Sequence, residues 1–524
     1  MKLTIFEWFQ SKNFYFFKTD EPHKEEKKGW TKLLILAGIT TTFGSSLPVG
    51  YNIGVVNAPA DIIKNFCNES MYTRYGAVLS DAQMEFLWSA IVSIFLVGGS
   101  IGSLTGSWLA DNVGRKGAIV ASTVLLMVAG VLFMITQVSN SVETLIAGRL
   151  LAGLAAGLVT CTIPMYLTEL APLELRGSMG VLCPLGINCG IFLGQIISLR
   201  QILGTEEFWP YLLGFYTISV VLSAVAIPFL PESPKYLLFV KKQPEQAFRQ
   251  LVKIRGVPEK LLTDEIQEMQ LASQQTDDED DVWNILRVLT DSSLLLPLLL
   301  VMFLQAGQQF SGINAVFYYS VSIFKTAGLD ELNSQLASIG AGSINLLMAI
   351  ISIPLMAKCN RRSVLQLSCF TASFCLLILG LTITYIDLFS WMPYLCILAV
   401  LSFVLFYGVG LGPIPYFIGS ELFEVGPRPS AMALGSMANW GGNFIVGMSF
   451  PSLQTAIGPG SFLIFALITL ALFVFIRIYL PETKNRDPGD IALLCKHGLR
   501  SRVLDTASQS SDTVVTVPTD DNSV

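Results

Sequence analysis

An all-α membrane protein, with twelve membrane-crossing helices in two groups of six, is the fold class this sequence predicts. Three observations predict it. The 524 residues are 52% hydrophobic and only 14% charged, against roughly 25% charged in an ordinary soluble domain. Apolar runs long enough to cross a bilayer as helices recur along most of the chain. One hydrophilic stretch, 231–293, divides those runs into equal sets. Strands are not expected, because lipid cannot satisfy an open sheet edge.

Taken in order, residues 1–32 form a cytosolic N-terminal segment. Met1 to Asp20 mixes aromatic residues with Lys2, Glu7, Lys12 and Lys18, so it lacks the uninterrupted apolar core of a cleavable signal. Residues 33–230 form the first six-helix half, with spans near 33–57, 86–109, 117–138, 144–167, 177–199 and 209–230. Several exceed the roughly 20 residues a straight helix needs, which predicts tilt or local breaks. Residues 231–293 form a cytosolic linker of short amphipathic helices. Pro244-Glu245 opens one helix, Phe248, Leu251 and Val252 share its apolar face, and Gly256 ends it. A second runs from Pro258 through Met269, and Asp277 to Asp281 reads as a solvated acidic connector. Residues 294–480 form the second half, with spans near 294–320, 335–357, 363–385, 392–418, 430–454 and 461–480. The tail, 481–524, is rich in Ser, Thr and Asp and is expected to be largely disordered and cytosolic.

Charge placement predicts an orientation. Of 33 Lys and Arg residues, four (Lys64, Arg74, Arg200 and Lys325) fall in outer loops and one, Arg149, inside a span; the other 28 fall on the cytosolic side. That is the positive-inside bias. The one Asn-x-Ser/Thr tripeptide, Asn68-Glu69-Ser70, falls in the first outer loop, where Asn68 is a candidate glycosylation acceptor. The net charge of −6 is less informative than this distribution.

The two halves repeat each other. Glu169 and Arg176 recur as Glu421 and Arg428, both 252 residues on. Pro231-Glu232-Ser233-Pro234 closes the first half and Pro481-Glu482-Thr483-Lys484 the second, 250 residues on. Gly114-Arg115-Lys116 is echoed by Asn360-Arg361-Arg362, though Ala357 stands where the second half should repeat Asp111. Parallel repeats of this kind predict a solute site between the halves near mid-membrane.

Function classes narrow quickly. The two histidines, His23 and His497, lie in cytosolic segments, and the nine cysteines show no disulfide or metal spacing. No nucleophile, base and metal constellation exists, so neither an enzyme nor a resident metal or cofactor is expected, and nothing points to nucleic acid. The partners are the lipid bilayer and a small solute. Leu294 to Phe324 contains no charged residue, yet it carries Gln308-Gln309-Phe310-Ser311-Gly312-Ile313-Asn314 followed by Tyr318-Tyr319. Amides at membrane depth are costly unless they face a cavity or a partner. Each amide both donates and accepts, which suits a neutral, hydroxyl-rich solute such as a sugar. The alternative is that these amides only bond neighbouring helices.

Ordered motifs resemble a known family. They include Gly50-Tyr51-Asn52, Asn57-Ala58-Pro59, Gly106 with Asp111 and Gly114-Arg115-Lys116, Pro164-Met165-Tyr166, Glu169 with Arg176-Gly177, and Pro231-Glu232-Ser233-Pro234. Gln308 to Ala315, Gly412-Pro413-Ile414-Pro415, Asn439-Trp440, Asn443 and Pro481-Glu482-Thr483 complete the series. Together, from about Leu33 to Thr483, they resemble the facilitative glucose transporters, sugar porters of the major facilitator superfamily. The resemblance implies the major facilitator fold, a plasma-membrane location, and a hexose, glucose first, as the solute. It implies sugar contacts at Gln308, Gln309, Asn314, Asn345, Tyr416, Asn443, Trp440 and Gln195, with Tyr318 and Tyr319 as an outer gate. Asp111, Arg115, Glu169, Arg176, Glu421 and Arg428 fall at inner helix ends and are expected to form a salt-bridge latch that holds the outward-facing state; serving topology alone is the alternative.

Departures from the family pattern touch the site. Pro184 stands where the fifth span normally offers a glutamine, Pro48 replaces a common glutamine in the first, and Gly408 sits where glucose carriers often have glutamate. Tyr416 stands for the usual Trp, and Gln305-Ala306-Gly307 partly resembles fructose carriers. Proton-coupled relatives carry an aspartate at Asn52, which here cannot titrate. Facilitated diffusion of a hexose is therefore expected; a non-transporting sugar receptor and a proton symporter are the competing readings.

Overall fold

The apolar runs fold as helices whose ends are set by local capping chemistry. Thr31 accepts a hydrogen bond from the Leu34 amide to start the first span. Ser80 and Gln83 form a reciprocal capping box at the start of the second. In chain order the spans are α1 (Lys32–Gly54), α2 (Asp81–Asn112), α3 (Gly114–Ile135), α4 (Val142–Leu170), α5 (Leu173–Ile197), α6 (Trp209–Ala224), α7 (Leu295–Phe317), α8 (Glu331–Lys358), α9 (Arg361–Thr384), α10 (Met392–Leu422), α11 (Arg428–Ile457) and α12 (Gly460–Tyr479). Ten of these are long and apolar enough to cross a membrane on their own composition. The other two are α6, which is shorter, and α11, whose apolar character Ser, Asn and Gln dilute. This computed structural model describes residues 29–56, 59–199, 202–276, 285–317, 324 and 328–495. The expectations for residues 1–28, Asn57, Ala58, Arg200, Asp277 to Asp281, Tyr318, Tyr319, Lys325 and 496–524 concern residues outside these ranges.

Prolines fall where the helices already change geometry. Pro48 follows a π-helical stretch, Thr42–Ser46, and stands in the first turn of the α-helical part of α1 that follows it. Pro184 likewise occupies the first turn after the break between Arg176–Gly180 and Leu182–Ile197 in α5. A proline in a first turn removes a donor that has no intrahelical partner anyway. α10 breaks at Gly410 to Pro413, between Met392–Val409 and Ile414–Leu422.

Each half has its own apolar core, and the cores exchange residues. Trp440 of α11 belongs to the buried cluster of the first half, with Tyr416 packed against it. Val181 of α5 belongs to the cluster of the second half. Two seams join the halves: α2 runs along α11, and α5 along α8. On the outer faces apolar side chains are exposed at helical spacing, as with Val120, Val124, Val128, Val131 and Ile135 of α3. Such a stripe is the surface a bilayer covers.

The linker packs around a small core of its own, in which Leu237 and Leu238 meet Leu251, Ile266 and Met269. Its first helix is Pro244–Arg255, ended by Gly256 in the left-handed region. Its second begins at Thr263 rather than Pro258, because Pro258 opens a separate 3-10 turn, Glu259–Leu261.

Close helix approach within the first half depends on small residues. A Cβ on Gly50 of α1 would sit 1.8 Å from the carbonyl oxygen of Ile187 in α5. Without a hydrophobic drive between helices in lipid, such backbone contact supplies much of the association. Gly50→Val is therefore expected to abolish assembly, read as loss of the monodisperse detergent-solubilised peak. Gly441→Ala, at a site with open space, should leave that peak intact.

Candidate functional site

At one end of the bundle a buried charge network ties the halves together. Arg115 reaches Glu169 with two guanidinium nitrogens, at 3.0 and 3.2 Å, and Asp111 at 3.4 Å. Arg428, from the other half, reaches the same Glu169 at 3.3 Å. Ser233 donates to Glu169 at 2.6 Å, so this carboxylate, with no side-chain exposure, is fully partnered. Glu232 accepts from the backbone amides of Arg115 and Lys116, which caps the start of α3. Burial pushes the Glu232 carboxyl up, against those amide bonds and Arg115.

The second half repeats the arrangement. Arg361 pairs with Glu421 at 3.2 Å, Thr483 donates to Glu421, and Glu482 accepts from the amides of Arg361 and Arg362. Ala357 cannot stand in for Asp111, and Arg361 donates instead to the Met356 and Cys359 carbonyls. Asn360 has a φ of −73°, so this turn does not need the glycine found at Gly114, whose φ is 86°. Of the six predicted latch residues, Glu169 and Arg428 make an ion pair that crosses between halves. Arg115 and Asp111 brace Glu169 from within the first half, Glu421 pairs with Arg361, and Arg176 is buried within electrostatic reach of Arg428. Arg361, Ser233, Thr483, Glu232 and Glu482 are further members; the repeat offsets were the signal for them.

Towards the middle of the bundle the amides of α7 and α11 close on one another. Asn439 donates to Gln308 at 2.6 Å and to Gln305 at 2.9 Å. Gln309 donates to Asn439 at 3.1 Å and accepts from Asn314 at 2.6 Å. The side-chain nitrogen of Gln308 donates to the Leu411 and Gly412 carbonyls in the break of α10, and that of Gln305 to the Pro415 carbonyl in the first turn beyond it. The broken helix and the amide row thus satisfy each other, as backbone at membrane depth requires. Gln305 and Asn439 are as central as Gln308 and Gln309, and their side chains within apolar spans were the signal for them.

Two predicted contacts carry buried oxygens that lack a partner among the described residues: Asn443 Oδ1 and Gln195 Oε1. Such an oxygen is costly unless a ligand or water meets it. Asn345, buried on α8, donates at 3.0 Å to Asn188 of α5, so this bond joins the halves. It borders a narrow cavity of about 10 Å³ lined by Pro184, Asn188, Asn345, Ser352, Gly408 and Gly412, the room of roughly one water molecule. Gly408 has a packing reason: a Cβ there would lie 2.7 Å from Met348 Cβ. Asn188 is a residue that sequence reading missed; its spacing one turn after Pro184 and two turns before Gln195 was the signal.

The predicted aromatic residues face the seam. Tyr416 packs against the first-half core. Trp440 is buried, meets Phe95 edge-on, and donates through its indole nitrogen to Thr160 at 3.0 Å. Thr160 and Ser103 both bond Ser436, which continues a polar strand between α2, α4 and α11. Tyr318 and Tyr319 lie outside the described residues.

Asn52 and Arg149 occupy the first-half interior. The Asn52 amide donates to the Pro48 carbonyl at 2.9 Å, while Arg149 donates to the Asn52 carbonyl at 2.8 Å and to the Ile91 carbonyl at 3.3 Å. The Arg149 guanidinium also lies 4.6 Å from the centre of the Phe95 ring. Backbone carbonyls and an aromatic face therefore hold this charge where a carboxylate could have done so.

The family model for sugar (and other) transporters matches residues 37–492. The chain is 41% identical over 463 residues to the human facilitated glucose transporter member 3 of solute carrier family 2, covering 88% of this chain and 92% of that one. The mouse member 3 is 40% identical over 462 residues, with the same coverage. The chicken member 1 is 38% identical over 468 residues, covering 89% and 94%. Among solved structures, the proton:xylose symporter XylE bound to 6-bromo-6-deoxy-D-glucose matches with a TM-score of 0.75 at 24% identity, covering 88% of this chain and 99% of that one. That likeness establishes the shared fold.

Removing one member of a fully buried pair strands its partners, at about 3–5 kcal/mol. Glu169→Gln, which strands Arg115 and Arg428, should lower the melting temperature of the detergent-purified protein by several degrees. Arg74→Ala, at an exposed pair with Glu143 whose side chains are 40% and 54% accessible, should leave it unchanged, because such pairs contribute about 0–1 kcal/mol.

Proposed function

The chain belongs to the family of sugar (and other) transporters, and from that membership we propose that it carries a hexose, glucose first, across the plasma membrane by facilitated diffusion. The observation that carries this reading is the charge-free row of amides on α7 and α11 beside the seam between the halves. Neutral amide–hydroxyl bonds contribute about 1 kcal/mol each, so several together hold a polyol firmly enough to select it and weakly enough to release it. Glucose is favoured because the curated relatives are named as glucose transporters. The chain works as a carrier, not an enzyme.

In this reading both termini and the charge network lie in the cytosol, and Asn68, exposed on the helix Ala60–Tyr75, is a glycosylation acceptor outside. Gln308, Gln309, Asn314, Asn345, Asn443, Gln195 and Tyr416 contribute to the sugar path, and Trp440 supports it from the seam. The pair Glu169–Arg428 closes the cytosolic end. Opening that end separates the pair and exposes the sugar to the cytosol; closing it again restores the outward-facing carrier. Tyr318 and Tyr319 form the outer gate.

Proton coupling needs a group that titrates during the cycle. At the position where proton-coupled relatives carry an aspartate, Asn52 does not titrate. The solute gradient alone therefore drives transport. Purified protein in liposomes should take up radiolabelled glucose saturably, with no change in bath pH. Saturable binding without net flux would instead identify a receptor, and alkalinisation of the bath on sugar addition would identify a symporter. Gln309→Leu removes two amide contacts and should raise the KM for glucose about tenfold without disturbing insertion. Unchanged uptake kinetics would remove Gln309 from the site.

A further inference from the structure

Asn188 places a first-half amide at the cavity beside α8. It lies half-buried on α5, one turn beyond Pro184, and meets Asn345 of α8 at 3.0 Å. Positions four apart on a helix share a face, so Pro184 and Asn188 line the same cavity, with Ser352, Gly408 and Gly412 opposite. Pro184 has no hydrogen-bonding side chain, and Gly408 has no side chain at all. Asn188 is accordingly the first-half group placed to meet a solute at this point, and Asn345 is its counterpart in the second half.

We infer that Asn188 is a sugar-contacting residue of the first half, and that the hexose enters by replacing the Asn188–Asn345 hydrogen bond with bonds from its own hydroxyl. This rests on the hexose-transport reading above. The empty cavity has room for about one water molecule, so a sugar hydroxyl reaches it only when the two amides separate. A hydroxyl both donates and accepts, and each amide does the same. One amide–amide bond is thus exchanged for two amide–hydroxyl bonds that still link the halves. The carrier stays tied across α5 and α8 whether empty or loaded, and the bound sugar replaces a bridge rather than filling a preformed void.

The substitution Asn188→Leu keeps the side-chain volume close and deletes both polar atoms. In liposomes, zero-trans uptake of glucose and of each monodeoxyglucose is compared for the wild type, Asn188→Leu and Asn188→Ser. Asn188→Leu should raise the KM for glucose about fivefold, as expected for one neutral hydrogen bond, with the maximal rate within about twofold of wild type. One monodeoxyglucose should cost the wild type a similar factor yet cost Asn188→Leu almost nothing, because the contact is already gone. Asn188→Ser, which retains a hydroxyl, should fall between the two and serves as the probe if the leucine variant does not fold. In an Asn345→Leu background, Asn188→Leu should still raise KM several-fold. No further rise there would reduce Asn188 to a residue that only positions Asn345, and equal losses on every deoxyglucose would make its role purely structural; either result overturns the assignment. A wild type that moves no hexose would overturn the transport reading itself, whereas an active wild type with an indifferent Asn188→Leu overturns this assignment alone.

Discussion

Polar groups withdrawn from water must find partners, and inside a bilayer water is not available to supply them. In this protein that constraint acts hardest on Glu169, a carboxylate with no side-chain exposure that is shared by Arg115 of its own half and Arg428 of the other. The Arg115 contact completes the first half as a unit. The Arg428 contact exists only while the two units meet. One buried carboxylate therefore takes part both in the permanent fold and in the contact that has to break. The same division recurs at the amides, where Gln305 and Gln308 satisfy the broken backbone of α10 while Asn345 reaches across to Asn188.

The internal repeat explains why the halves look alike and the site does not. Arg115, Glu169, Glu232 and Ser233 have counterparts in Arg361, Glu421, Glu482 and Thr483, down to the capping of α3 and α9 by a carboxylate. These residues solve a problem both halves share: holding a charged turn against the end of a helix bundle. The solute problem is not shared. Amides gather on α7 and α11, while the first half presents Pro184 and a half-buried Asn188 at the cavity, with Gln195 two turns further along α5. Arg149, in turn, donates to the Asn52 and Ile91 carbonyls and lies against Phe95.

Much of this was legible in the sequence because bilayer chemistry is strict. Twelve apolar runs, the repeat offsets and a charge-free run containing Gln308, Gln309 and Asn314 follow from it directly. Partner choice was less legible. Nothing in the spacing says that Gln308 spends its donors on Leu411 and Gly412, that Trp440 turns its indole to Thr160, or that Arg428 of the second half reaches Glu169 of the first; those depend on helix rotation, which spacing alone fixes only loosely. The prolines misled for a different reason. Pro48 and Pro184 read as lost glutamines, but each also stands in the first turn after a change of helix geometry, at Ser46 and at Val181. Gly408 read as a lost acid, whereas its neighbour Met348 leaves no room for a side chain.

The account's central claim is that the Glu169–Arg428 pair holds the charged end of the bundle closed and that the halves separate there as units. Probes on Val113 and Asn360, exposed turns at that end of the first and second halves, would report the distance between them by pulsed electron resonance. The account predicts that Arg428→Ala shifts the distribution towards longer distances, while probe pairs within either half keep their distances. An unchanged Val113–Asn360 distribution, or one that lengthens together with the distances inside a half, would contradict it.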